Sequence, residues 1–117
     1  MRHISFALTT DQVRTQTKTV TRRLGWKTLK PGTLLQPVVK SQGLKKGETV
    51  ERIGGPIRVI DVVVERLNGG VSQSDVWREG FPQMSPEQFI DMFCHHNKCE
   101  RTAEITRIHF EYMEARP

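Results

Sequence analysis

The feature that most constrains the fold is a run of β-branched and aliphatic residues over residues 56–67, which is closed by Asn68-Gly69-Gly70. β-Branched side chains favour an extended backbone, and Asn-Gly and Gly-Gly pairs favour turns. This pattern predicts a strand over residues 57–64 that lies in the interior of a sheet. The rest of the chain must supply strands to pair with it.

Further strands are predicted at residues 4–8 and 102–113, where apolar residues alternate along the chain, and at residues 33–39, which are rich in aliphatic residues. Pro31-Gly32 is a strong turn signal ahead of the strand at residues 33–39. Pro37 cannot donate to a strand ladder, so we expect that strand to lie at an edge or to be split by a bulge.

Two helices are predicted by capping boxes, in which a hydroxyl residue is followed three positions later by glutamine. Thr9 and Gln12 begin a short first helix, which is expected to end near Thr17. Ser85 and Gln88 begin the second helix, after which the chain shows an apolar stripe. The members of that stripe are Phe89, Met92 and Phe93.

The chain of 117 residues is long enough for one domain with a core and too short to expect two, so residues 1–117 are interpreted as a single domain. A helical turn is also expected within residues 71–80. With a strand at residues 17–23, the element order becomes β-α-β-β-β-α-β. This order favours an α+β fold, a small curved sheet or barrel with helices at its mouth.

The composition indicates an anionic partner. Eighteen Lys and Arg against thirteen Asp and Glu give a formal charge of +5, which suits nucleic acid. No apolar run approaches the roughly 20 residues that a spanning helix needs, and the apolar segment at residues 4–8 is too short for a signal peptide. We therefore expect a soluble, cytoplasmic protein without a membrane partner.

Residues 17–23 are the strongest candidate site, since three cations and three hydroxyls surround one valine. Such groups suit phosphate, carbonyl or nucleobase ligands. In a regular strand Lys18 and Thr21 would point to opposite faces. A shared pocket therefore requires Lys18 to lie at the end of the preceding helix or in the bend that leaves it. The alternative is a solvated basic edge strand.

Residues 40–55 are rich in Gly, Lys, Glu and Ser and show no sustained apolar period, which predicts a long hairpin loop or flap. Its cations extend the candidate binding surface. Near the other end, Cys94-His95-His96-Asn97-Lys98-Cys99 resembles a ligand cluster, but its spacing does not match common zinc sites. We predict neither a metal nor another cofactor there.

Several motifs, in their order and spacing, resemble the ASCH domain family of the PUA-like superfamily, and in particular small ASCH proteins of bacteria and phages. They are residues 17–23, Lys30-Pro31-Gly32, Glu79-Gly80-Phe81 ahead of the helix that begins at Ser85, and Ile108-His109-Phe110. The resemblance covers nearly the whole chain and implies a β-barrel with flanking helices and a cleft for RNA or a nucleoside. Thr33 departs from the usual aspartate, and the loop at residues 40–55 is longer than in minimal members.

Three positions also resemble bacterial N4-acetylcytidine amidohydrolases, in which a lysine, a threonine three residues later and a glutamate form the catalytic set. The matching residues are Lys18, Thr21 and Glu79. The resemblance implies that Thr21 attacks, Lys18 takes its proton and Glu79 serves the leaving amine. The other candidate ligand contacts are Thr19, Arg22, Arg23, Trp26, Lys40, Lys45 and Lys46. Trp26, like Trp77, is alternatively a packing residue.

The expected function is binding of RNA or a modified nucleoside in a basic cleft, and the first alternative is hydrolysis of an N4-acylated cytosine. A ribonuclease is a further alternative, with His3, His95, His96 and His109 as candidate acid and base groups, although no spacing places two of them together. The last alternative is a scaffold that binds a partner protein. Lys18, Thr21 and Glu79 serve a binder as well as an enzyme.

Overall fold

The computed structural model describes residues 1–114, which form an α+β fold. The strands are β1 (Arg2–Ser5), β2 (Val20–Arg23), β3 (Leu34–Val38), β4 (Ile57–Arg66) and β5 (Glu104–Tyr112). The α-helices are α1 (Thr10–Arg14), α2 (Gln73–Arg78) and α3 (Pro86–Asn97). Short 3-10 turns occupy Ala7–Thr9 and Leu67–Gly69. The predicted α+β class is confirmed.

The strands of the described chain form one mixed sheet in the order β1-β3-β4-β5-β2. β1 pairs with β3 in parallel, and the other neighbours are antiparallel. The prediction of an interior strand at residues 57–64 is confirmed, since β4 lies between β3 and β5. A register shift between Val59 and Asp61 bends β4 against β5.

Two hydrophobic clusters form the core. The first is formed mainly by β1, β3, β4 and β5, to which α1 and the loop before β4 each add one residue. Its members are Ile4, Phe6, Val13, Leu35, Ile53, Ile57, Val59, Ile108 and Phe110. The second lies beneath α2 and α3 and comprises Leu67, Val76, Phe89, Ile90, Phe93 and Ile105. The candidate site lies where the two clusters approach, because Phe6 of the first and Phe89 and Phe93 of the second line one cavity.

The predicted capping box of α3 is confirmed. Ser85 Oγ accepts from the Gln88 backbone N–H at 3.1 Å, and Gln88 Oε1 accepts from the Ser85 N–H at 2.8 Å. Pro86 takes the first helical position, where its missing N–H costs nothing. α3 has 12 residues. No helix within residues 1–114 is long and apolar enough to cross a membrane.

The prediction for the first helix is wrong in its cap and its length. Thr9 makes no side-chain cap hydrogen bond, and α1 ends at Arg14. The Gln12 side chain does not form the expected capping bond at the start of α1. Its Nε2 instead donates to the Gly80 carbonyl at 3.1 Å. β1 is also shorter than predicted, since the chain turns into a 3-10 helix after Phe6 and leaves Leu8 exposed.

The expected edge position of the Pro37 strand is not observed, because β1 lies beyond β3 in the sheet. The proline is tolerated for a local reason. β3 pairs with β4 only through Leu34 and Leu35, so the ladder on that side ends before Pro37 needs to donate. Its carbonyl instead accepts from Ile53 N–H at 2.9 Å.

The predicted loop at residues 40–55 is confirmed. This segment contains no helix or strand, apart from a single bridge between Val38 and Arg52. The predicted helical turn within residues 71–80 is also confirmed, as α2. Ser72 caps α2 by accepting from the Asp75 N–H at 3.1 Å.

Candidate functional site

A cavity of about 140 Å³ lies between the sheet and α3. One part of its lining is polar and is formed mainly by residues 17–23 and by the end of α2. The charged and hydroxyl side chains of this part are Lys18, Thr21, Arg22, Arg23 and Glu79. The three residues matched to a catalytic set, Lys18, Thr21 and Glu79, therefore line one cavity.

Another part of the cavity lining is apolar and aromatic. It contains Phe81 from the loop after α2 and Phe89, Met92 and Phe93 from α3. The sequence pattern assigned the last three to packing, and Phe89 and Phe93 do pack in the second core cluster. An apolar stripe reveals which face of a helix is buried, but it does not distinguish a core contact from a cavity wall.

Lys18 lies in the bend between α1 and β2, as a shared pocket requires. α1 ends at Arg14, and β2 begins at Val20. The Lys18 N–H donates to Gln12 O at 3.2 Å, and its carbonyl accepts from the Tyr112 hydroxyl at 2.5 Å. These bonds hold the backbone of Lys18 outside the strand alternation, so its side chain shares the cavity with Thr21.

The Lys18 ammonium is buried against Glu79. Its Nζ donates to the Glu79 backbone carbonyl at 2.6 Å and to Glu79 Oε1 at 2.9 Å, and each side chain is 3% exposed. Burial lowers the pKa of Lys18 below its ordinary 10.5, although the Glu79 carboxylate opposes that shift. An ammonium has three donors, of which the described residues occupy two.

Arg22 continues this ion pair into a network. Its Nη1 donates to Glu79 Oε2 at 3.0 Å, and its Nη2 donates to Asp75. Arg107 binds the same Asp75 carboxylate through two hydrogen bonds, each of 2.8 Å. Arg107 and then Arg22 hold the pKa of the Asp75 carboxyl well below its usual range.

Sequence reasoning missed Asp75 and Arg107. A signal for Asp75 was present, because Asp75 and Glu79 are four residues apart and so share one face at the end of α2. Arg107 carried no local signal. It reaches Asp75 only because β5 pairs with β2 in the register that sets Arg22 opposite Arg107.

Gly80 allows α2 to approach the bend that carries Lys18. Its φ is +99°, which is favourable for glycine alone, and a Cβ there would lie 2.9 Å from Gln12 Cγ. The Gln12 side chain also binds the Gly80 carbonyl. Glu79 therefore supplies the carboxylate, and Gly80 supplies the space that allows the end of α2 to lie close to Lys18.

Arg23 holds the Thr21 hydroxyl and reaches the first strand. Its Nε donates to Thr21 Oγ1 at 3.0 Å, and its Nη2 donates to Ser5 O at 2.5 Å. Its guanidinium lies 4.9 Å from the centre of the Phe6 ring. Burial lowers the pKa of Arg23 to about 10, so it remains charged at neutral pH.

Two candidate contacts near this stretch do not line the cavity. Thr19 makes backbone bonds, donating to Arg78 O at 2.8 Å and accepting from Phe110 N–H at 3.0 Å. Trp26 packs against the first core cluster, with the Arg2 guanidinium 3.8 Å from its ring centre.

The candidate loop cations lie away from the cavity. Lys40, Lys45 and Lys46 are exposed, do not line the cavity, and form no ion pair with another residue in positions 1–114. Any contact that they make with a ligand must therefore be with a part that extends beyond the cavity.

One of the four histidines, His96, lines the cavity, so within the described residues the cavity lacks the two histidines that acid–base cleavage of RNA would use.

Cys94 and Cys99 are free thiols at the end of α3. Across positions 1–114, no three His, Cys, Asp or Glu side chains are grouped so that they could hold a metal ion.

Comparisons with known proteins identify a structural relative but no sequence relative. No family model matches the sequence, and no curated protein matches it. The fold is similar to the crystal structure of protein EF3133 from Enterococcus faecalis V583, which carries the family description DUF984. The two share 16% identity with a TM-score of 0.63, over 99% of this chain and 84% of the other. The chain thus shares the fold of this bacterial protein.

Proposed function

We propose that the cavity binds a pyrimidine nucleoside, either free or within an RNA chain. The observation that carries the proposal is a cavity of about 140 Å³ whose lining combines charged and hydroxyl side chains with aromatic ones. A cavity of about 150 Å³ is large enough to bind benzene, so this one suits a single six-membered ring. A flat heterocycle with polar edges matches both parts of the lining.

The polar part of the lining offers both kinds of hydrogen-bonding group that a pyrimidine edge needs. Lys18 and the arginines supply donors for ring nitrogen and carbonyl oxygen, and the Glu79 carboxylate accepts from an exocyclic amine. Cytosine carries an amine at N4, which uracil lacks. The carboxylate in this lining therefore favours cytosine over uracil.

We also propose that the sheet is a barrel of the PUA-like type found in ASCH domains. β1 and β2 stand at opposite ends of the strand order, yet Arg23 of β2 donates to the Ser5 carbonyl of β1. Contact between the two edge strands supports a sheet that curls towards closure. In this arrangement the cavity lies beside the contact between the edges, because Ser5 and Arg23 line it together with residues of α3.

Calorimetric titration with cytidine, uridine and adenosine tests the binding function. We expect cytidine to bind most tightly and adenosine to give no heat. Thr21→Ala should weaken cytidine binding by about tenfold, the value of one good hydrogen bond. Thr19→Ala is the matched control, since Thr19 lies two residues away and outside the cavity, and it should bind as the wild type does. Absence of pyrimidine binding at millimolar concentration would refute the proposal.

A second candidate function, hydrolysis of an N4-acylated cytosine, is favoured by the buried hydrogen bond between Lys18 and Glu79. Transfer of one proton along this 2.9 Å contact converts an ammonium and a carboxylate into an amine and a carboxylic acid. Burial lowers the pKa of Lys18 and so favours the neutral amine, which is the form that can act as a base.

In this reaction Thr21 Oγ attacks the acyl carbon, and its proton passes to the Lys18 amine. The C–N bond then breaks, and the Glu79 carboxyl protonates the departing N4, which leaves cytidine and a Thr21 ester. Water, deprotonated by Glu79, attacks the ester. Thr21 recovers its proton from Lys18, and the acid product loses its own proton to solvent.

Release of acetate from N4-acetylcytidine tests this second function. The wild type and Thr19→Ala should release acetate, whereas Thr21→Ala and Lys18→Met should not. If the wild type binds cytidine but releases no acetate, hydrolysis is excluded and binding stands. If Thr21→Ala retains the wild-type rate, Thr21 is not the nucleophile.

A further inference from the structure

Asp75 and Arg107 lie outside the cavity lining, yet both belong to the ion network that ends in it. The network alternates in charge along Arg107, Asp75, Arg22, Glu79 and Lys18. Its outer end is partly accessible, because the Arg107 side chain is 18% exposed, whereas Arg22 is fully buried. A substitution at the outer end therefore acts on the cavity without touching a ligand.

The sheet register explains why this network needs Asp75. Arg22 and Arg107 are directly opposite each other on β2 and β5, and like charges in that relation are destabilising. The Asp75 carboxylate accepts hydrogen bonds from both and offsets their repulsion. Since Asp75 belongs to α2, the same bonds attach this helix to the sheet.

Attachment of α2 at Asp75 determines where Glu79 lies. Glu79 follows α2 as its C-cap residue, and its N–H donates to the Asp75 carbonyl at 2.8 Å. Arg22 joins the two carboxylates, with Nη1 on Glu79 and Nη2 on Asp75. The orientation of one carboxylate therefore depends on that of the other.

We propose that Asp75 is a positioning residue for the nucleoside site, held by Arg107, which places Arg22 and Glu79 around Lys18. This inference rests on the proposed function for its effect on ligand affinity, but its effect on Lys18 is independent of any ligand. The charged groups around the Lys18 ammonium are Glu79 after α2 and Arg22 and Arg23 on β2, and His96 of α3 lines the same cavity.

Asp75→Asn is the principal test. It removes a negative charge next to Arg22, so the positive potential at Lys18 rises and the pKa of Lys18 should fall. NMR titration of the Lys18 side chain measures that shift in the ligand-free protein. Cytidine affinity should fall by about 10- to 100-fold, as expected for displaced binding groups. Asp91→Asn on α3, an equivalent change at an exposed ion pair, should alter neither quantity.

Asp75→Glu separates charge from position. It keeps the negative charge, so a change in the pKa of Lys18 can arise only from displacement of Glu79 and Arg22. The added methylene displaces α2, so the pKa of Lys18 should fall as Glu79 moves away and cytidine affinity should stay reduced. If Asp75→Asn does not fold, Arg107→Gln removes the other anchor at a partly exposed position and should weaken cytidine binding in the same direction.

An unchanged Lys18 pKa in folded Asp75→Glu would overturn the proposal, because this variant keeps the charge and only displacement of Glu79 could shift the pKa. So would wild-type cytidine affinity in both Asp75→Asn and Asp75→Glu. If the wild type binds no nucleoside while the Lys18 pKa falls in both Asp75→Asn and Asp75→Glu, the proposed function fails and the positioning role of Asp75 stands.

Discussion

Residues 17–23 and residues 40–55 are both rich in cations, but the fold treats them in opposite ways. Lys18 and Arg22 of the first segment are buried and bonded to Glu79. Lys45 and Lys46 of the second are exposed and form no ion pair with another described residue. The formal charge of +5 does not distinguish the two segments.

The difference arises from the carboxylates. A cation leaves water at a high cost in free energy unless a carboxylate or other acceptor is fixed beside it. α2 and its C-cap provide two such carboxylates, Asp75 and Glu79, beside the point where residues 18–22 enter the sheet as β2. The loop has no comparable partner within the described chain. Fixed cations can recognise the shape of a ligand, whereas exposed lysines mainly attract negative charge.

The largest expected effect follows removal of the central carboxylate. Glu79→Gln leaves Lys18 and Arg22 buried without their shared anion, and breaking a buried ion pair costs about 3 to 5 kcal/mol. Urea unfolding should show this decrease in the free energy of unfolding. Glu48→Gln in the loop is the matched control and should change it by less than about 0.5 kcal/mol. Equal effects at the two sites would contradict the comparison.

Two glycines extend the same contrast. Gly80→Ala introduces both a strained backbone, at φ +99°, and a Cβ contact of 2.9 Å with Gln12. We expect about 2 to 4 kcal/mol of destabilisation from the two effects together. Gly47→Ala in the loop has φ +89° but no atom within 4 Å of the new Cβ. It should cost only about 1 to 2 kcal/mol in the same unfolding measurement.

Acid should affect the buried network specifically. The folded pKa of Asp75 lies below its unfolded value, so its contribution to stability is complete above about pH 4 and is lost as the pH falls further. Unfolding free energies at about pH 6 and about pH 2.5 should therefore differ more in the wild type than in Asp75→Asn. If the free energy of unfolding of Asp75→Asn falls as much as that of the wild type between these two pH values, Asp75 is not responsible for the acid sensitivity.

The smallest effect is expected in the loop. The double variant with Lys45→Ala and Lys46→Ala should leave the affinity for free cytidine unchanged within about twofold, because neither side chain lines the cavity. If RNA binds across the loop, the slope of log affinity against log salt should fall by about 0.7 for each phosphate that the variant no longer neutralises. Weaker binding of the free nucleoside would place the loop in the site.

Elements with strong local signals were predictable from the sequence. The Ser85-Pro86-Gln88 cap began α3 as expected, and the β-branched run became β4. The cap predicted at Thr9 failed because Gln12 bonds to Gly80, which is 68 residues away in the chain. A pattern read over four residues contains no information about such a partner.

The site was predictable only in part for the same reason. Lys18, Thr21 and Glu79 were identified from their motifs, and each lines the cavity. The partners that orient them were not, because the bond between Arg107 and Asp75 depends on strand register and on the approach of α2 to the sheet. Trp26 shows the opposite case, in which a local signal suggested a ligand contact that the fold does not provide. An aromatic ring beside a basic stretch suggests base stacking, but this ring packs against the core.

The central claim is that the buried network, and not the basic loop, forms the ligand site. Backbone amide NMR spectra of the wild-type protein during titration with cytidine test it directly, because both regions report in one experiment. We predict saturable shifts at Thr21, Glu79, Phe89 and His96, with unchanged signals at Lys45 and Lys46. Shifts confined to residues 40–55, or no shifts at millimolar cytidine, would contradict the claim.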